Sequence, residues 1–515
     1  MPQDQAKAPG ITRSLVPIRP EEFGYEQARH LLWRAGFGGS DAQVRRLASW
    51  GPEKSVDVLL DFGGKNAPFD PVEADRFDRD IVRPATEEER RAYRAAQQKG
   101  DEDELDRLRK VRQDRERQDR QQVGEVAKWW LTRMIETDAP LEEKLTLFWH
   151  GHFATSYRTI ENSYHMFAQN QFFRANAAGN FADLLLGIIR DPAMIAYLDN
   201  NDSRKNRPNE NLAREIMELF SLGIGNYSEQ DIKEGARALT GYTFEDDEFR
   251  FVERNHDFGA KTILGRSGNL NGEDFVSIIL SKRACADFVA RRLYNFFVAD
   301  VPPDERGGAK ELPQTQRAVL RELGEMLYAR GYNLRPVLKR LFLSRHFYDP
   351  SIVGQQIKSP AVLVVGAVRS LQTPVRDLSI LLDAMDLMGQ RLFFPPSVKG
   401  WDGGRAWINT STLFVRQNIL AYLVAGRRPV GYDASADTDA FDAMAMLETT
   451  DDARVVKREP GAVAEHLLRV TLGRVPSEGL ERLRGYFASE SGTINQRTVA
   501  NALLLITAMP EYQLC

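Results

Sequence analysis

The chain has 515 residues, with 69 Lys and Arg against 73 Asp and Glu for a net charge of -4. That near balance removes the electrostatic case for a nucleic-acid partner. Two cysteines, Cys285 and Cys515, are too few for a disulfide scaffold or a cysteine-based zinc site. Hydrophobic residues at 42% support a packed core, and the longest apolar run, Ala361–Val368, is far short of the ~20 residues that span a bilayer.

In chain order, residues 1–20 carry Pro2, Pro9, Pro17 and Pro20 and little apolar content, which predicts a flexible tail. The stretch has no apolar core of a secretory signal, so a cytoplasmic location is expected. Ala28, Leu31, Leu32 and Ala35 keep helical spacing until Gly36 and Gly38 stop them. Ser40-Asp41 caps a second short helix that ends at Gly51. Residues 84–124 are almost entirely charged or Gln, with Tyr93, Leu105, Leu108 and Val111 as the sizeable apolar side chains. Thr86-x-x-Glu89 is a capping box and Gly100 divides the segment into two arms. This predicts a protruding charged helical insertion, either a solvated, charge-paired face or an arm that docks a partner.

Helical patterns follow at 128–135, 141–149, 166–177, 181–189 and 209–222. Residues 247–273, with FRFVE and KTILG beside glycines, read as irregular or β structure. Helical spacing returns over 274–300, 313–329, 334–346 and 359–390, then a Pro/Gly/Trp-rich loop occupies 394–409. An acidic linker at 427–460 leads to a C-terminal helical unit at 461–515, expected to pack on a main domain spanning 21–425. Without βαβ alternation or a repeat of 20–50 residues, the fold expected is mainly α.

Four stretches hold candidate chemistry. His150-Gly151-His152 suits a shared metal if the segment is extended, because residues two apart then face the same side; on a helix they point apart. Gly151 favours leaving the helix. The alternative is two hydrogen-bonded histidines at a helix end. In Asn209–Phe220, residues Asn211, Arg214, Glu215 and Glu218 share one helix face, with Glu210–Arg214 and Arg214–Glu218 as ion pairs one turn apart. This is either a solvated polar face or a buried stripe in which Glu215 and Glu218 act as acid/base groups or ligands and Arg214 keeps them ionised. His256-Asp257, followed by Gly259 and Gly265, is either a binding loop or a turn in which Asp257 bonds its own backbone. Lys399, Trp401, Arg405, Trp407, Asn409 and Arg416 form a loop and helix start able to clamp an anionic or sugar-like ligand, or simply anchored by its tryptophans. His30, His346 and His466 read as structural, with His165 a reserve ligand. There is no His-Glu-x-x-His, Gly-x-Ser-x-Gly, Walker or Rossmann signature.

Several stretches together resemble the DUF1800 family of bacterial proteins of unknown function. They are HLLWRAGFG at 30–38, LFWHGHFAT at 147–155, PNENLAREIMELFSLGIGNYSE at 208–229, ARALTGY at 236–242 and HDFGAKTILG at 256–265. KSP at 358–360, PPSVKGWDGGRAWINTSTLFVRQN at 395–418 and LLLITAMPEYQL at 503–514 complete the set. The resemblance carries no established reaction. It implies a DUF1501-type protein as a partner, a sulfatase- or phosphatase-like exported protein, and leaves open export in that partner's company.

Three functions are consistent with these residues. One is an enzyme whose site joins His150, His152 and His256 to Glu215, Glu218 and Asp257 across helices, a mixed imidazole and carboxylate set that suits Zn, Mn or Fe. The second is a non-catalytic accessory to a DUF1501-type partner. The third is a binder of an anionic glycan or phosphate ester at the Trp loop.

Overall fold

The computed structural model describes residues 15–62, 76–83, 85–301, 312–432, 439–448 and 459–515. The expectation of a mainly α fold holds. The helices are α1 (Tyr25–Arg34), α2 (Asp41–Leu60), α3 (Glu87–Lys99), α4 (Glu102–Glu136), α5 (Pro140–His152), α6 (Tyr157–Ile160) and α7 (Ser163–Ala175). After them come α8 (Phe181–Ile188), α9 (Pro192–Tyr197), α10 (Asn211–Glu215), α11 (Glu229–Ala238), α12 (Gly272–Leu280), α13 (Arg283–Phe297) and α14 (Gln314–Ala329). The rest are α15 (Leu334–Leu343), α16 (Pro360–Leu371), α17 (Leu378–Leu387), α18 (Thr410–Ala425), α19 (Pro460–Leu472), α20 (Ser477–Ser489) and α21 (Gln496–Thr507). Among the described residues, no helix is long and apolar enough to cross a membrane.

Local chemistry accounts for many boundaries. Ser40 accepts from the Gln43 N–H and starts α2. Gly51 (φ 77°, ψ 176°) leaves the helical path and ends the first stretch of α2 at the expected stop, and Pro52 at once begins a second stretch that runs to Leu60. Thr86 and Glu89 form the expected capping box, and Gly100 (φ 66°) closes α3 in the left-handed conformation. The charged arm is therefore a hairpin of α3 and the first half of α4. Its ion pairs include Arg83–Glu89 and Arg115–Glu89. Asp119 departs from the solvated pattern: it is buried and accepts from Tyr157 Oη, Ser163 Oγ and the Ser163 N–H.

The β structure is two small antiparallel hairpins. β1 (Tyr242–Glu245) pairs with β2 (Glu248–Phe251), and β3 (Lys261–Ile263) with β4 (Arg266–Gly268). Leu264 and Gly265 both take positive φ in the second turn, as a tight two-residue hairpin requires. His165, on α7, bonds Asp247 Oδ1 and the Asp246 carbonyl in the first turn. The reserve ligand thus ties a hairpin to the helices.

Two hydrophobic cores form. The first gathers α1, α2, α5 and α8 to α15; the second gathers the later half of α4, α16 to α18 and α19 to α21. α16 is buried on all sides from Pro360 to Val368, as expected for a helix apolar all round. The C-terminal helices thus share a core with α4 and α16 to α18. The described part of the expected linker contributes Phe441, Ala443, Met446 and Leu447 to that core; 433–438 and 449–458 lie outside the described residues. Of the expected tail, residues 1–14 lie outside them as well, whereas Leu15 and Ile18 are buried and the Ile18 N–H bonds Leu343 O. Helices α1 and α5 stand between the cores. Leu31, Leu145 and Phe148 enter the first core, while Trp33 and Leu147 enter the second.

Candidate functional site

Helix α5 does not leave its helical path at Gly151. A Cβ at Gly151 would lie in ordinary contact with the Trp401 ring at 3.5 Å, whereas one at Gly400 would overlap the Gly151 carbonyl, so the close approach of the two segments rests on Gly400. His150 and His152 therefore project about 200° apart, and the extended, metal-sharing geometry is not adopted. His150 sits among Trp130, Phe393 and Trp401 and accepts from the Phe393 N–H at 3.2 Å. His152 donates through Nε2 to Phe220 O at 3.0 Å, which leaves Nδ1 to accept from Arg292 Nε at 3.4 Å. Burial holds His150 down to about 3; burial, with Arg292 adding, holds His152 well below the usual imidazole range. Both are neutral clamps between elements. Among the described residues, no group of three or more His, Cys, Asp or Glu is gathered as a metal set for Zn, Mn or Fe.

The polar stripe changes phase at Ile216. From Ile216 to Ser221 the helix widens to π geometry, with Leu222 N–H bonding Met217 O. The expected Glu210–Arg214 pair forms at 3.1 Å. The expected Arg214–Glu218 pair does not: Arg214 reaches Glu229 on α11 at 2.9 Å, and Glu218 accepts from Tyr227 Oη at 2.8 Å. Widening the turn moves Glu218 out of line with Arg214. Asn211 is exposed, and its backbone N–H bonds Asn209 Oδ1. Glu215 is half-buried. Burial raises its carboxyl, Glu218 adds to the rise, and Arg214 and Lys399 oppose it. Lys399 thus belongs with this carboxylate pair. The Phe220 carbonyl in the same segment is the acceptor for His152.

The composite site across helices does not assemble. His256 donates to Thr240 O at 2.7 Å and packs against Phe251 and Phe258. Asp257 accepts from Arg237 Nε at 2.7 Å and from the Gly259 N–H at 2.8 Å. These two residues lock the turn before β3, with the buried Lys261 bonding the Asp257 and Gly259 carbonyls.

The Trp loop divides by role. Trp401 and Trp407 line a cavity of about 160 Å³ at the seam of the two cores, whereas Arg405 is exposed and Asn409 caps α18 through Thr412. Arg416 is fully buried, bonded to Lys358 O at 2.8 Å and Gln513 Oε1 at 3.2 Å, and burial lowers its pKa to about 10. It holds the loop before α16 and is not a ligand clamp.

The seam cavity is lined by four basic side chains: Arg34, Lys144, Arg292 and Lys358. Arg34 donates to Phe297 O and Val298 O at the end of α13 and to Cys515 O. Lys358 donates to Tyr512 O at 2.6 Å and lies over the rings of Trp33 and Tyr512. Lys144 differs. It is 4% exposed, with Nζ 5.0 Å from the Phe37 ring centre and 5.6 Å from that of Phe296. Among the described residues, none accepts a hydrogen bond from it and no carboxylate pairs with it. Burial pushes its ammonium down to about 7, with Arg34 adding and Cys515 opposing. The carboxylates on the lining, Asp300 and Asp402, are exposed at the rim.

A larger groove of about 610 Å³ runs along Phe62, Arg174, Asn180 and Arg335. Most of its polar groups are already engaged, Arg174 by Glu143, Asn180 by Ala182 N–H and Gly331 O, and Arg335 by Leu60 O, while Glu142 keeps a 4.0 Å contact to Arg133. Size favours this groove, but unmet bonding capacity favours the seam.

The family described as a protein of unknown function (DUF1800) matches residues 30–514. The chain belongs to the DUF1800 family. No curated protein and no solved structure matches it. In this DUF1800 chain, four of the stretches that carry the family likeness meet at the seam. HLLWRAGFG brings Trp33 and Arg34, LFWHGHFAT brings Phe148 and Gly151, KSP brings Lys358, and the Trp loop brings Trp401 and Trp407.

Reading the sequence missed Lys144 altogether. The signal was present, since Leu141, Lys144, Leu145 and Phe148 follow the i, i+3, i+4, i+7 rule and put a lysine on an apolar stripe.

Proposed function

We propose that this DUF1800 protein binds a small anionic ligand in the seam cavity. The observation that carries the reading is Lys144, a buried lysine that lines the cavity and has no hydrogen bond or ion pair among the described residues. Burying an ammonium in this way is costly, and an anion entering the cavity offsets that cost. Arg292, which commits only its Nε to His152, adds positive potential on the same lining. At about 160 Å³ the cavity is smaller than a typical pocket of ~300–1,000 Å³. It suits a compact anion, or the anionic end of a larger phosphate ester or glycan whose remainder lies along Trp401 and Trp407.

A shared-metal enzyme at His150 and His152 has less support, because the two rings serve different backbone partners. The charged arm pairs Glu89 with both Arg83 and Arg115, and nothing among its described contacts selects a DUF1501-type partner. The test is a thermal-shift and calorimetric titration with inorganic phosphate, simple phosphate esters and uronates. Wild type should be stabilised with a saturable dose response, and the Lys144→Met variant should lose it. Equal stabilisation of both proteins, or none across the panel, would sink the reading.

A further inference from the structure

Lys144 is placed as more than an electrostatic anchor. Its Nζ is held in a dry wall by the Phe37 and Phe296 rings, open on one side to the cavity, with cationic neighbours in Arg34, Arg292 and Lys358. A lysine desolvated in an apolar pocket beside another cation is the arrangement that frees an amine for nucleophilic attack. The remaining buried charges nearby are occupied: Arg34 and Lys358 each donate to backbone carbonyls.

We propose that Lys144 is a nucleophilic lysine that condenses with the carbonyl group of a small anionic aldehyde or 2-oxo acid seated in the seam cavity. The inference rests on the anion-binding reading for the placement of the ligand. The Nζ lone pair forms a bond to the carbonyl carbon, and the C=O π pair moves to oxygen, which takes a proton. The carbinolamine then expels that oxygen as water while C=N forms. One amine and one carbonyl give one imine and one water, with no change of oxidation state. The ligand carboxylate faces Arg292, and the rim carboxylate of Asp300 beside Gly404 stands where protons enter and leave. Burial holds the ammonium down at about 7, so a large share of the amine is neutral at physiological pH. The charged and titratable groups around it are Arg34 from α1, Arg292 and Asp300 from α13 and its exit, Lys358 before α16, Asp402 from the Trp loop, and Cys515. Burial, with Arg34 adding, keeps the proton off, and attack slows as pH falls below neutrality.

The test is reductive trapping. The full chain is incubated at pH 7 with glyoxylate and cyanoborohydride, then read by intact mass and peptide mapping, alongside the Lys144→Arg and Lys144→Met variants. One carboxymethyl group on the peptide holding Lys144 is expected, on the order of 10-fold or more faster than on exposed lysines. Both variants should lose it while keeping their helical circular dichroism. Label spread over surface lysines with Lys144 no faster would overturn the proposal. Inorganic phosphate, which has no carbonyl, separates the two readings. Phosphate stabilisation without trapping removes the nucleophile and keeps the anion site; trapping without phosphate stabilisation does the reverse.

Discussion

Glu143 and Lys144 are neighbours on α5, both buried, and they show two opposite ways of keeping a charge inside a protein. Glu143 is 0% exposed and fully bonded: Oε1 accepts from Arg133 Nε at 2.9 Å and Arg174 Nε at 2.7 Å, and Oε2 accepts from Trp130 Nε1 and Arg174 Nη2 at 2.9 Å. Burial pushes its carboxyl up, but Arg174 and Arg133 more than offset that and hold it below the ordinary range. Lys144, one residue on, faces rings and a cavity and is held below its ordinary range by burial. A bonded buried charge fixes helices; an unbonded one beside a cavity points to a ligand. The difference lies in the partners that tertiary packing supplies, since both residues are equally polar on paper.

The largest effect that tests this contrast is at Glu143. Glu143→Ala strands two guanidiniums and an indole N–H, and should cost about 3–5 kcal/mol in urea denaturation. A cost near zero would mean that the cluster is not structural. Lys144→Met should act in the other direction, raising stability by about 1–3 kcal/mol at pH 7. The unfolded lysine takes a proton near its ordinary pKa of 10.5, which the folded one resists until about 7. The penalty is therefore full below 7, and wild-type stability rises between 7 and 10.5. The advantage of the methionine variant should shrink over that window. A variant less stable than wild type at pH 7 would show Lys144 to be a structural residue.

The histidine clamps sharpen the comparison with neutral groups. His150 is held at about 3 against an ordinary 6.5, so the unfolded chain binds the proton first and stability falls as pH drops through that window. The slope should be roughly 1 kcal/mol per pH unit per such histidine, and His150→Gln should flatten it. A slope unchanged in that variant would remove the neutral-clamp account. The smallest effect belongs to charges that water already solvates. Arg112→Ala breaks the exposed Arg112–Glu116 pair at 2.9 Å and should cost less than about 0.5 kcal/mol. A larger loss would show that the arm is held by more than its visible pairs.

Some of this was legible in the amino acids. The Thr86–Glu89 box and the left-handed Gly100 follow from residue type, because caps and positive φ are local. The run of apolar residues in α16 likewise announced a buried helix. The stripe from Leu141 to Phe148 carried the clue to Lys144, since a lysine in such a stripe asks for a reason. The π segment was not legible. Its widened turn moved Glu218 to Tyr227 and sent Arg214 to Glu229, and the i+4 rule assumes a regular helix. The helical path through Gly151 was not legible either, because the residue lies inside α5 and packs on Trp401, about 250 residues away, which a local glycine rule does not see.

Sequence by itself determined the mainly α fold, the charged arm, the hairpin region and the family, because helix periodicity, caps and motif order are written in nearby residues. Only the tertiary structure decided which polar residues matter together. It turned His150, His152, His256 and Arg416 into braces, placed Lys399 with the carboxylate pair, and brought Arg34, Lys144, Arg292 and Lys358 to one cavity between two cores. The reason is that a charge takes its role from the dielectric and the partners around it, and those are set by helices that lie hundreds of residues apart along the chain.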